Sequence, residues 1–224
     1  MNTGRYIFSQ ITDFIPRYQF DKFVLKHKGE RHMRELTSYN HLLYLLYGHL
    51  SPCDSLRDIC LCIDNHKDII YHCGFNKSVD STTLSRANKS RSYKILEELG
   101  YYLISIISNN FDFSAIDIAN IYRNRWQIEV FFKWIKQNVV IKKLWGYSEN
   151  AVKTHLWSAL CAYLIMVHVK AEFMSRYTIT EILTLVRGAL FEKRDLKELL
   201  TKPTKITNPE SNQNVKEQQY IIDF

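Results

Sequence analysis

Apolar residues along this chain recur mostly at three- and four-residue intervals, a spacing that predicts helices. Ile7, Ile11, Phe14 and Ile15 trace one apolar stripe up to Pro16, and Phe20, Phe23 and Val24 trace a second that runs out near Gly29. "SYNHLLYLLYGHL" carries Leu42, Leu43, Leu45, Leu46 and Leu50 and predicts a helix stopped between Gly48 and Ser51. "SPCD" then reads as a capping box, with Ser51 as N-cap, Pro52 at the first helical position and Asp54 three residues after the cap, opening a helix from Cys53 to Ile63. Ile69, Ile70 and Cys73 form a short apolar segment that Gly74 breaks, and Ser78 is expected to cap a polar helix. In that helix Val79, Thr83 and Leu84 face inward, Asp80, Ser81 and Thr82 occupy the first turn, and Arg86, Asn88 and Lys89 face out. "ISIIS", residues 104–108, reads as a strand with Asn109-Asn110 as its turn. A helix opens at Ser114 with a capping box to Asp117 and runs through Ile121, Ile128, Phe132 and Ile135. Further helices are expected at about 149–173, 178–190 and 193–200, and the polar, aperiodic stretch from Thr201 is expected to be disordered.

Seven glycines and four prolines among 224 residues are less than half the usual share, which disfavours turn-rich β architectures and makes the chain mainly α. The longest apolar run, Leu156 to Val167, falls well short of the roughly 20 residues that span a bilayer, so it predicts a buried helix and no membrane partner. Five cysteines with no paired framework spacing read as reduced and intracellular. Cys60 and Cys62, with His66, His72 and Cys73, do not make a zinc pattern, because helix positions two apart point away from each other and no CxxC pair is present.

A formal charge of +7 changes the picture, since clustered Lys and Arg gain free energy by displacing counterions from a polyanion. Two short helices, a glycine-containing turn and a polar third helix follow helix-turn-helix grammar, and a plain helical bundle would show the same pattern. On the first reading Ser81, Thr82, Arg86, Asn88, Lys89 and Arg91 are candidate DNA contacts. A second cationic stretch is "RNRWQIEVFFKWIKQN": between Ile118 and Tyr147 the sole acidic residue is Glu129, set against Arg123, Arg125, Lys133, Lys136, Lys142 and Lys143. At 100° per residue Tyr122, Arg125, Glu129 and Lys136 fall within about 60° of one another, apart from the Ile121, Ile128, Phe132 and Ile135 stripe. Salt bridges from Glu129 to Arg125 and Lys133 would explain the glutamate alone, but not the surplus of cations or the "KKLWG" that follows.

The spacing Y-x2-R-x3-E-x6-K in "YRNRWQIEVFFKWIKQ" resembles the C-terminal signature of DDE-class insertion-sequence transposases, whose ribonuclease H-like core carries Asp, Asp and Glu. The stretches "YIFSQITDFIPR", "LTSYNHLL", "SLRDI" and "GFNKSVDSTTLSRANKSRSYKILEELGYYLI" resemble the N-terminal domain of Bacteroidetes-type members. The resemblance implies that Glu129 is the third metal-binding carboxylate, that Tyr122, Arg125 and Lys136 bind transposon-end phosphates, and that Trp145 lies close to the DNA. Lys133, Lys142 and Lys143 extend that cationic surface. In such enzymes two Mg²⁺ ions held by three carboxylates drive in-line phosphoryl transfer. Implied partners are double-stranded DNA at transposon ends and a second subunit, a copy of itself or an intact transposase, in the bacterial cytoplasm at the nucleoid. No small-molecule substrate is implied.

The two Asp-bearing strands that precede the Glu helix in that family have no counterpart here. "DSTT" at Asp80 to Thr83 looks like the first catalytic motif, but no apolar strand precedes it and a basic, helical stretch follows; Asp112 and Asp117 read as a turn residue and a cap. Glu129 would hold metal only with carboxylates supplied from elsewhere, so little Mg²⁺ should bind. The expectation is an internally deleted copy with its scar around Leu103 to Ile106: a helical, helix-turn-helix-like DNA-binding domain at 1–103, a remnant of the catalytic domain with one or two residual strands at 104–200, and a tail at 201–224. It would bind transposon ends without completing catalysis; the alternative is a remnant that regulates or inhibits intact transposase.

Overall fold

The computed structural model describes residues 4–30, 35–110 and 144–201. Their regular structure is helical: α1 (Ile7–Thr12), α2 (Arg17–Lys26), α3 (Ser38–Leu50), α4 (Leu56–Asp64), a 3-10 turn (Ile70–Cys73), α5 (Ser81–Ser90), α6 (Lys94–Asn110), α7 (Glu149–Glu172), α8 (Ile179–Ala189) and α9 (Leu196–Leu199). Side-chain oxygens set where most of them begin. Thr37, Ser55, Asp80, Ser148, Thr178 and Asp195 each accept the backbone N–H three residues on, and Thr178 and Glu181 complete a capping box.

The middle of the molecule is α3. Every residue from Asn40 to Leu50 is buried, as expected of a helix that is apolar nearly all round. Against it lies α7, which also packs on α1, α5, α6 and α8, so most of the apolar run 156–167 is covered by protein while Leu156 stays exposed. Gly48 lets α4 and Trp145 come close to α3: a Cβ there would meet Trp145 Cη2 at 2.6 Å and collide with Ile59. Gly74 ends the 3-10 turn at φ 88°, a left-handed conformation that side chains oppose.

Three expectations are corrected. Residues 104–108 are helical, and among the described residues there is no strand, only an isolated bridge between Tyr6 and Lys193. Ile95, Leu99 and Leu103 are buried at four-residue intervals and Ile107 packs on the same core, so the helical period continues through the apparent alternation. The cap of α4 is Ser55, not Ser51, which instead ends α3 by donating its N–H to the Tyr47 carbonyl. The cap of α5 is Asp80, not Ser78.

Position 103 lies within α6, and the hydrophobic core draws on both sides of it, from Ile7 to Leu103 and from Trp145 to Leu200. The first and last described segments are also stitched together. Ile7 and Phe8 donate their N–H groups to the carbonyls of Glu192 and Leu190, and the Gln10 amide donates to the Arg194 carbonyl while accepting from the Leu196 N–H.

Candidate nucleic-acid interface

Helix α5 has one side tied down and one side in solvent. Its start is fixed by the Asp80 carboxylate, which accepts the Thr82 hydroxyl at 2.6 Å and the Thr83 N–H at 2.7 Å. Those hydrogen bonds favour the ionised form and lower the carboxylate's pKa. Asp80 is thereby engaged as a helix cap.

The inner side carries Leu84, Ala87 and Asn88, all buried. Asn88 Oδ1 lies 2.6 Å from His41 Nε2 on α3; since a carbonyl oxygen accepts, the imidazole donates. Burial, reinforced by the Arg91 charge, pulls His41 down to about 3, so it is neutral here. Arg91 follows the last turn and is only 5% exposed. Its guanidinium donates to the carbonyls of Leu36 at 2.6 Å, Gly29 at 3.3 Å and Thr37 at 3.4 Å, which ties the α2–α3 connection to the end of α5. Burial lowers its pKa to about 10, and it stays charged at neutral pH.

The third tie comes from α7. Asn150 Nδ2 donates to the carbonyls of Asn88 at 2.8 Å and Arg91 at 2.7 Å, and its Oδ1 accepts the Tyr93 N–H at 3.3 Å. One side chain therefore satisfies carbonyls that the end of α5 would otherwise leave open.

On the outer side Thr82, Ser85, Arg86, Lys89 and Ser90 are exposed and share one stripe, spaced i, i+3, i+4, i+7 and i+8, and Ser81 is half-buried beside them. No described acidic side chain forms an ion pair with Arg86 or Lys89. Lys94 is exposed just beyond, and Lys153 of α7, bonded to Glu149 at 2.6 Å, lies over the Tyr93 ring. Of the six residues on and just after α5 expected to touch DNA, Ser81, Thr82, Arg86 and Lys89 reach the surface. Asn88 and Arg91 do not: each makes internal hydrogen bonds that the helix register turns inward.

Trp145 is also enclosed, at 4% exposure. Its ring stacks on His49 with centroids 4.5 Å apart and meets the edge of His155 at 4.4 Å. His49 Nε2 lies 2.8 Å from Ser158 Oγ, whose hydroxyl donates to the His155 carbonyl. Burial lowers both histidines, His155 to about 4. In this arrangement Trp145 packs the α3–α7 contact and offers no face to a ligand. Tyr122, Arg125, Glu129, Lys133, Lys136, Lys142 and Lys143 lie outside the described residues, as do Ser114, Asp112, Asp117 and the 202–224 stretch.

Sequence reasoning missed His41, His49, Asn150 and His155. Two of them had a signal, since His41 and His49 interrupt a helix that is otherwise apolar all round; Asn150 had none beyond its place in the first turn of α7.

Residues 3–76 match a family model described as a domain of unknown function, DUF4372. The chain is similar to three proteins that carry provisional transposase names. These are y4zB of Sinorhizobium fredii (38% identical over 95 residues, 42% of this chain and 26% of that protein) and the protein of insertion sequence element IS5377 in Geobacillus stearothermophilus (36% over 85 residues, 38% and 22%). The third belongs to element IS4SA in Synechocystis sp. (39% over 49 residues, 22% and 14%). The match thus spans about a quarter or less of these relatives' own length. No solved structure matches the chain.

Proposed function

We propose that the chain is a transposase-family protein that binds double-stranded DNA at transposon ends through the outer face of α5. The similarity to three transposase-named proteins supports the family reading. The DNA reading is carried by one observation: three polar ties fix the inner side of α5, while Arg86 and Lys89 have no acidic partner among the described residues and stand among exposed hydroxyls. Arg, Lys, Ser and Thr are the side chains that position a protein on duplex phosphates, and a major groove about 12 Å wide admits one helix. The Tyr122, Arg125, Glu129 and Lys136 signature supports membership of the DDE class, with Lys133, Lys142 and Lys143 adding to the DNA contact surface.

Catalysis in that class rests on two Mg²⁺ ions, which several converging carboxylates must hold. Among the described residues no group of three or more His, Cys, Asp or Glu side chains is placed to hold a metal ion, and Asp80 caps its helix. The two Asp-bearing strands that precede the Glu helix in that class have no counterpart in the sequence, so we assign no catalytic step to this chain. We read it as catalytically incomplete, an internally deleted copy that pairs with itself or with an intact transposase.

A gel-shift titration on element-end duplex across a salt series tests the binding. Several phosphate contacts give a log-log slope near −0.9 per phosphate, and Arg86→Ala and Lys89→Ala each lower its magnitude by about 1. A salt-independent response, or variants that bind like the parent, would refute the α5 surface. Mg²⁺-dependent nicking of that duplex, abolished in Glu129→Ala, would refute the incomplete-catalyst reading.

A further inference from the structure

We propose that Cys53 and Cys62 are a site of reversible oxidation, two thiols poised to close an intramolecular disulfide at the α3–α4 corner when they meet a hydroperoxide. The five cysteines are all free in this structure, and two of them face each other: Cys53 Sγ lies 3.7 Å from Cys62 Sγ. Cys53 belongs to the turn that follows α3, and Cys62 sits one and a half turns into α4, nine positions on. The turn that precedes α4 folds its thiol back over the helix it leads into. A disulfide needs sulfurs at about 2.0 Å, so the remaining approach is about 1.7 Å, shared between two side chains.

The surroundings divide the labour. Cys53 is 4% exposed, whereas Cys62 is half-buried with an opening to solvent. Cys62 is therefore the sulfur that a small oxidant reaches. Its thiolate attacks one peroxide oxygen, the O–O bond breaks, and a sulfenic acid forms while the departing hydroxide takes up a proton to become water. Cys53 then attacks the sulfenic sulfur, the S–O bond breaks, and its thiol proton leaves with the hydroxide as a second water. In sum two thiols and one hydrogen peroxide give one disulfide and two waters, and a dithiol reverses it. Burial raises the Cys53 pKa, with the neighbouring Cys62 and Asp58 adding to it, so Cys53 resolves an oxidised partner and does not react first. Cys60, two positions away on α4, is buried and lacks the opening that Cys62 has.

The bond would staple α4 to the turn before it, and α4 packs against α3 and α5. It is independent of whether α5 binds DNA.

The test treats the folded full chain with hydrogen peroxide, blocks free thiols under denaturing conditions, and maps the products by tandem mass spectrometry. Cleavage at Arg57 separates the two cysteines. The expected result is a fall from five free thiols to three, a Cys53–Cys62 linkage, and full return to five on dithiothreitol. Cys60→Ser should oxidise like the parent, while Cys53→Ser and Cys62→Ser should not form the bond. Five thiols remaining at peroxide doses that oxidise glutathione, a linkage through Cys60, or a linkage between molecules would each overturn the proposal. The mapping in the unsubstituted chain decides the matter even if a variant folds poorly.

Discussion

Helix α5 and the Trp145 corner carry the same kinds of residue and use them in opposite ways. On α5, Arg86 and Lys89 stand in solvent, while Asn88 and, just past the helix end, Arg91, one and two positions from Lys89, are buried donors and acceptors. At the corner a tryptophan beside two lysines in sequence lies between two buried histidines. Arg, Asn and Trp are each as suited to a nucleic-acid surface as to a structured interior. On α5 what separates the two uses is register, because a step of one or two residues on a helix turns a side chain by 100° or 200°.

The sharpest way to break the contrast is to remove the corner. Trp145→Ala should lose about 3–5 kcal/mol of stability in a denaturant titration, since it empties the space that Gly48 leaves open; a loss under 1 kcal/mol would mean the ring is not packed there. Arg91→Ala should cost about 3 kcal/mol, because it leaves the Leu36, Gly29 and Thr37 carbonyls without their donor. Arg91→Lys should recover only part, as an ammonium cannot reproduce the three-way fork.

Acid should act on both regions together. His41, His49 and His155 are buried with pKa values below the ordinary 6.5. The unfolded chain therefore binds more protons than the folded one, so their contribution is intact above pH 6.5 and is lost as pH falls towards 4 and 3. Each should cost about 1 kcal/mol by pH 5.5, seen as a falling thermal midpoint between pH 7 and 5.5 that His49→Gln with His155→Gln flattens. Smaller still is Asp80→Ala, seen as a slight fall in thermal midpoint through the lost cap. Smallest on stability is Arg86→Ala with Lys89→Ala, within about 0.5 kcal/mol, though this pair should weaken DNA binding most.

Much of the helical skeleton was legible because period and punctuation agreed. α3 was bounded by its leucines and Ser51, α7 and α8 by long apolar stripes, each within a residue or two of the observed ends. Caps were misplaced where two candidates competed: Ser51 and Ser55 both precede α4, but at Ser51 the backbone still closes α3 through its N–H to the Tyr47 carbonyl, and the new helix opens four residues later at Ser55. The strand expected at 104–108 came from a five-residue window too short to show the Ile95, Leu99, Leu103 and Ile107 line that continues through it. For the candidate interface, residue type pointed to α5 but not to which of its cations faces out; His41 and Asn150, which decide that, are distant in sequence and visible only once α3 and α7 pack against it.

The stitching of residues 7–10 to residues 190–196 bears on the order in which the protein can be made. α1 is synthesised well before the segment it binds, so its leading N–H groups and the Gln10 amide wait for partners about 184 positions later. Until those emerge, Ile7, Phe8 and Ile11 have no cover on that side, and contacts of such long separation are the slowest to form. A nascent chain cut off before residue 190 would present this apolar segment to solvent, and so to whatever chaperone or protease patrols the ribosome exit.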